Sequence, residues 1–293
     1  MNRRSLTTLT GAIIALSIGS TASAQAPEMT QNRMSDAPCP ASDPGPPPGL
    51  AQALLQPGAK PPPMMAQDGP GAAAALAAYL KKRDADQLRD FPNLCKYKAA
   101  NAARARDGAP DVVLMGDSIT ENWQPGDPTL FSARIVDRGI AGQTSPQMVV
   151  RFQQDVVALR PKVVHIMAGT NNVAGNTGPS SPEDYKNDIR AMVDMARHNH
   201  IAVVLASIPP AGGFPWRPDL QPAVQIPTLN AWLRDYAAKN GLVYVDYYAA
   251  LVAEGGGMKS DLTNDGVHPT TRGYAVMRPL FDKAVAKALA RRP

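Results

Sequence analysis

After Pro110 the chain alternates short, nearly continuous apolar runs with longer stretches whose apolar residues recur at helical spacing. The runs are Asp111–Met115 (DVVLM), Arg134–Val136, Lys162–Ala168 (KVVHIMA), Ile201–Ile208 (IAVVLASI) and Leu242–Tyr247 (LVYVDY). Helical patterns cover Pro146–Leu159, Pro182–His198, Ile226–Lys239 and Gly273–Arg291. A strand with one wet face alternates polar and apolar residues, whereas unbroken β-branched runs are buried on both faces, as in parallel sheets sandwiched by helices. The pattern predicts an α/β fold: a doubly wound, flavodoxin-like, five-stranded parallel sheet with helices on both faces and right-handed crossovers. Ligands in such folds bind off the carboxyl ends of the strands. Chemistry-bearing residues are therefore expected just after each run.

The chain before Pro110 has a different texture. Residues 1–24 read as an export signal: Arg3 and Arg4 open it, a mostly apolar stretch runs from Leu6 to Ile18, and Ala22-Ser23-Ala24 supplies a small-residue cleavage site. That apolar stretch is too short to anchor in a bilayer, so no stable membrane insertion is expected after cleavage. Residues 25–70 form a proline-rich arm, with 11 of the 29 prolines between Pro38 and Pro70. Proline removes a backbone donor and fixes φ, so an extended, polyproline-like or disordered segment is expected there. Residues 71–107 read as a helical extension, with one helix from Ala72 to about Arg89 and a second from Leu94 to Arg106. The main domain then spans residues 108–293.

Charge adds little. The net charge is +5, and signal cleavage removes two of the 30 basic residues to leave +3. No dense Lys/Arg stripe interleaved with aromatics occurs, so a nucleic-acid partner is not expected. Cys39 and Cys95 are the only two cysteines. In an oxidising compartment they are compatible with a disulfide, worth roughly 4 kcal/mol if unstrained, or with two separate thiols.

Four segments follow the runs as the fold rule requires. The first run ends in Gly116-Asp117-Ser118-Ile119-Thr120, where a serine opening a helix faces the crevice with N–H groups around it. A plain helix cap would look the same. The second leads into Gly139-Ile140-Ala141-Gly142-Gln143-Thr144, where glycine lets backbone N–H approach a ligand. The third ends in Gly169-Thr170-Asn171-Asn172, which reads as an Asx turn or as an amide aimed at developing negative charge. The last is Asn264-Asp265-Gly266-Val267-His268-Pro269, before the final helix. A serine needs a base to attack near neutral pH, and an imidazole base needs a carboxylate to hold its tautomer.

Together these four blocks resemble the SGNH hydrolases, also called the GDSL esterase/lipase family, over roughly Val112 to Leu289. The resemblance implies Ser118 as nucleophile and Asp265 with His268 as the rest of a triad. It implies an oxyanion hole made by the backbone N–H of Ser118 and Gly142 and the side-chain amide of Asn171. It further implies an ester hydrolase that needs no cofactor and no metal. Two positions depart from the family pattern: Asn172 stands where aspartate is usual, and the first block reads GDSIT rather than GDSL.

The loop Pro209–Pro227 holds Phe214, Trp216 and Arg217, and Trp123 follows the nucleophile block. These four are candidate substrate contacts, although packing over the sheet would explain them equally. An aromatic wall with one arginine suits a short acyl group on a small-molecule or carbohydrate ester. A lysophospholipase or thioesterase acting on lipid acyl groups is the alternative within the family, and a non-catalytic binding domain the alternative outside it. No Gly-x-Ser-x-Gly elbow, His-Glu-x-x-His or complete Walker loop occurs. His165, inside an apolar run, is expected to be a hydrogen-bonded core residue.

Overall fold

The computed structural model describes Cys39, residues 50–59, 78, 81–82, 85 and 87–291. The expected export signal and most of the proline-rich arm lie outside the described residues. Five parallel strands form the sheet: β1 (Val112–Gly116), β2 (Ile135–Gly139), β3 (Val163–Met167), β4 (Ala202–Ala206) and β5 (Val243–Val245). Their spatial order is β2-β1-β3-β4-β5, with every neighbouring pair parallel. β1 and β3 are fully buried along their length, as unbroken apolar runs demand.

Two apolar layers flank the sheet. Val113, Met115, Val164 and Ile166 pack with helices Ser145–Asp155, Pro182–His198 and Pro222–Lys239 through Met148, Phe152, Ile189, Met192 and Leu233. Val112, Leu114, Val163 and Val204 point the other way, onto Tyr274, Met277 and Phe281 of helix Thr271–Ala290. The predicted helix Pro182–His198 has those bounds. Ser181 caps it: its hydroxyl accepts from the Asp184 N–H, and the Asp184 carboxylate accepts from the Ser181 N–H. Helix Pro222–Lys239 begins four residues before the predicted start and keeps Pro227 in its second turn. As the sixth residue, Pro227 lacks the N–H that would bond to the Ala223 carbonyl, so the helix gives up one bond there.

Two features before Pro110 differ from expectation. Within the proline-rich arm, Leu50–Leu55 is a helix whose Leu54 and Leu55 are buried. The second helix of the extension begins at Lys98 rather than Leu94. The Asp90 carboxylate takes the N–H groups of Leu94 and Cys95, and residues 91–97 form turns instead. Of the two alternatives open for the cysteines, the structure has the first: both are disulfide-bonded. Of the predicted helix Ala72–Arg89, residues 78, 81–82, 85 and 87–89 are helical and the others lie outside the described residues.

The segment 91–107 is joined to the sheet by a polar network. The carbonyls of Phe91, Pro92 and Leu94 accept from the side-chain amides of Gln147, Gln143 and Gln154. Asn101 bridges Asp155 and Arg138, and the Tyr97 hydroxyl donates to the Gly139 carbonyl. Beneath them Arg151, with no exposed surface, reaches Gln143, Asp155 and the Gly116 carbonyl. A buried guanidinium is tolerable only when its donors are used, and these partners use them on all three nitrogens.

Candidate active site

β1 stops at Gly116 and its neighbour β2 at Gly139, paired in register, so the segments after them leave the sheet side by side. Asp117 caps the short helix Ser118–Glu121, its carboxylate accepting from the Ile119 N–H at 2.9 Å. That helix crosses the end of β2 closely. A Cβ on Gly139 would sit 2.2 Å from the Glu121 nitrogen, so only glycine permits the crossing. Gly142 has φ +79°, and open space surrounds the position its Cβ would take. The left-handed backbone, not crowding, is what selects glycine there. The backbone N–H groups of Ser118 and Gly142 have no acceptor among the described residues.

The final loop brings the remaining groups. Thr263 and Pro269 form an isolated bridge, and Thr270 N–H donates to the Leu262 carbonyl, closing the loop at its base. Within it, Asp265 Oδ1 accepts the N–H groups of Val267 and His268 at 2.9 and 2.8 Å. Its other oxygen lies 2.6 Å from His268 Nδ1, and His268 Nε2 lies 2.8 Å from Ser118 Oγ. Ser118, after β1, and Asp265 and His268, from the last loop, thus meet in one hydrogen-bonded line.

Electrostatics follow from burial and pairing. Burial alone would raise Asp265, but the His268 ring and two backbone N–H groups outweigh it and hold the carboxyl at about 2. Burial pulls His268 down, yet the charge and hydrogen bond of Asp265, with Asp117 adding to them, leave the imidazole above its ordinary value. Asp117 is pushed up to about 6 by burial, against the opposing pull of the Ile119 N–H and His268.

Asn171 is buried, and its amide nitrogen lies 3.1 Å from the Gln143 carbonyl and 3.3 Å from Asp117 Oδ2. Its oxygen accepts from Asn176 at 2.7 Å, and the Asn176 oxygen accepts from the Trp216 indole at 3.2 Å. Asn172 accepts the Ser145 N–H and donates to the Ser145 hydroxyl, which donates on to Asp188. An aspartate at 172 could not donate to that hydroxyl, so asparagine suits this pairing.

The candidate substrate contacts divide. Trp123 is not a wall of the site: it is completely buried, stacked on Tyr274 at 5.5 Å and edge-on to Tyr247 and Phe281. The reason is that helix Trp123–Gly126 packs its tryptophan onto the layer covered by the C-terminal helix. Phe214 is likewise core, packed against Trp216 at 5.2 Å between ring centres. Arg217 braces loops, donating to the Ala174 carbonyl and to Asp219. Trp216 alone of the four aromatic and basic candidates keeps a large free surface on an apolar ring, 40% exposed. His165 is buried in the sheet, 3.1 Å from the Tyr247 hydroxyl, its pKa lowered to about 3 by burial.

Four residues close to the site are not marked out by the sequence. Asp117 and Gln143 sit inside motifs but look like ordinary cap and turn residues. Asn264 opens the last block, but its partners lie more than 200 residues away; Asn176 follows the third block, and its link to Trp216, 40 residues on, has no local mark.

Comparison with known proteins identifies the family. The model of the GDSL-like lipase/acylhydrolase family matches residues 114–276. A crystal structure of a candidate acylhydrolase from Bacteroides fragilis is 41% identical, covering 68% of this chain and 99% of that one, with a TM-score of 0.65. A GDSL-like lipase from Bacteroides thetaiotaomicron is 40% identical, covering 68% and 100%, with a TM-score of 0.64. Among curated proteins, the uncharacterized lipoprotein YqeF of Bacillus subtilis (strain 168) is 31% identical over 121 residues, 35% of this chain. The chain spans about half the length of that relative. With more than half of its residues inside the family match, the chain belongs to the GDSL-like lipase/acylhydrolase family.

Proposed function

We propose that this protein is an exported serine ester hydrolase that works through an acyl-enzyme on Ser118. The observation that carries the reading is the continuous line from Ser118 Oγ through His268 to Asp265, at 2.8 and 2.6 Å. In the reaction, Ser118 Oγ attacks the ester carbonyl while His268 Nε2 takes its proton. The negative charge that forms on the carbonyl oxygen is met by the N–H groups of Ser118 and Gly142. Asn171 adds its amide once the longer contact to Asp117 yields. Collapse breaks the ester C–O bond, and His268 returns the proton to the departing alcohol. Water then attacks the acyl group, again through His268, and releases the acid and free Ser118. Asp265 holds the Nδ1 tautomer and balances the imidazolium throughout.

For the substrate we propose a short acyl ester of a small molecule or carbohydrate. The exposed Trp216 ring stands two hydrogen bonds from the Asn171 amide, by way of Asn176. A flat apolar face beside polar groups suits the leaving alcohol of a sugar ester. Export is supported by the signal-like residues 1–24 and by a relative named as a lipoprotein. None of the described helices is long and apolar enough to cross a membrane.

The test is turnover of p-nitrophenyl acetate by the wild type and by Ser118→Ala, followed by an acyl series from C2 to C16. Loss of turnover in the variant, with a collapse beyond C4, supports the reading. Equal turnover by both proteins removes the mechanism, and a maximum at C8 or longer replaces the substrate class with lipid.

A further inference from the structure

The loop that carries Asp265 and His268 is gripped from outside the family match by a piece of the proline-rich arm. Helix Leu50–Leu55 ends with carbonyls that have no intrahelical partner, as every helix does. The side-chain nitrogen of Asn264 donates to the carbonyls of Ala53 and Gln56, each at 2.7 Å, and lies 3.3 Å from that of Leu54. The Asn264 oxygen accepts the Gly58 N–H at 3.1 Å, where Gly58 turns the chain at φ +74°. Both ends of one amide are therefore spent on the arm. Asn264 is also the residue immediately before Asp265.

The grip is reinforced by packing. Leu55 is buried in the same apolar cluster as Leu262, at the base of the loop, and as Trp123 and Tyr274. Its side chain lies against Gly126 at the end of helix Trp123–Gly126. The arm thus touches both the loop that carries the base and the helix that follows the nucleophile's. The loop itself has few other holds at its tip: Gly266 is at φ +82° with open space around it, and the bonds of Asp265 Oδ1 are all to residues of the same loop.

We propose that residues 50–59 are a positioning strap, and that Asn264 is the positioning residue through which they hold Asp265 and His268 in line with Ser118. The proposal rests on the catalytic reading of those three residues. A strap of this kind acts by keeping the base within reach of the nucleophile, and misplacement by remote changes costs up to about a hundredfold in rate.

The experiment compares the full-length wild type, Asn264→Ala and, from the other side of the contact, Leu55→Ser. Three readouts are taken: kcat and KM on p-nitrophenyl acetate, the thermal midpoint, and the low-field proton resonance of the His268 ring N–H facing Asp265, assigned by its loss in His268→Gln. The expected result is a fall in kcat of roughly tenfold or more with little change in KM. The low-field resonance is expected to weaken or broaden in both variants, while Asn264→Ala melts close to the wild type. If Asn264→Ala does not fold, Leu55→Ser carries the comparison. Unchanged kcat and an unchanged resonance in the folded variants would overturn the strap. Undiminished turnover by Ser118→Ala would instead remove the catalytic reading, and the resonance, which needs no turnover, would then decide on the strap alone.

Discussion

The amide nitrogen of Asn171 lies 3.3 Å from a carboxylate oxygen of Asp117, the residue immediately before Ser118. One buried acid thereby caps the helix that Ser118 opens, holds the Asn171 amide proposed to meet the oxyanion, and adds negative potential at His268. Replacement by asparagine keeps a good helix cap, removes the charge, and turns the atom that faces the Asn171 amide from an acceptor into a donor. Asp117→Asn is therefore expected to lower the pKa of His268. In a pH profile of kcat/KM the acid limb, where activity rises as the imidazole loses its proton, should move to lower pH. A limb that stays in place would show that the Asp117 charge does not reach the base.

Asp265→Asn addresses the tautomer. An amide can still accept the backbone N–H groups, so the loop should close as before. It cannot stabilise the imidazolium, and it can present an N–H to Nδ1. By analogy with other Ser-His-Asp sites, kcat is expected to fall by about 10³–10⁴-fold with the circular dichroism spectrum unchanged. A loss of less than about tenfold would assign Asp265 a structural role only.

The parts of this picture that could be read along the chain are those set by local pattern. Four of the five strands stand out as short runs dominated by valine, isoleucine, leucine, methionine and alanine. β2 shows only two residues of its length, Ile135 and Val136, because Asp137 and Arg138 break the run although both are buried. Their burial depends on Tyr97, Asn101 and the Gly139 N–H, partners that no apolar run around β2 reveals. For Trp123 the sequence leaves contact and packing equally open for a related reason: nearness to Ser118 along the chain does not say which face of the sheet a helix covers. The helix at Leu50–Leu55 was hidden by the prolines around it, and its reason for folding, the Asn264 amide, lies more than 200 residues away.

Arg151 offers a test of the buried network. Its partner Asp155 has no exposed side-chain surface and would keep only Asn101 if the guanidinium were lost. Arg151→Met is expected to destabilise the fold by about 3–5 kcal/mol, as removal of one member of a buried pair does. Urea unfolding gives the value. The double change Arg151→Met with Asp155→Leu should cost less than the single one, since no unpaired charge remains.

Asp137 should reveal itself in the pH dependence of stability. Burial pushes its carboxyl up to about 7, and that of Asp117 to about 6. Both lie above the unfolded value of about 4, so between pH 4 and 7 the folded protein holds protons that the unfolded chain has shed. Their contribution therefore decreases as pH rises through that window. Asp137→Asn retains an acceptor for the Gly139 N–H and is expected to flatten the decline. Urea midpoints at pH 4, 5.5 and 7 measure it; parallel curves for variant and wild type would contradict the assignment.

Three glutamines, at 143, 147 and 154, hand their amide protons to carbonyls of Pro92, Phe91 and Leu94. A gene fragment trimmed to the four hydrolase blocks would turn those donors out to water and strip the cover from Arg151. Residues 91–107 are thus packing partners of the sheet, and an expression boundary drawn inside them would open a buried guanidinium to solvent.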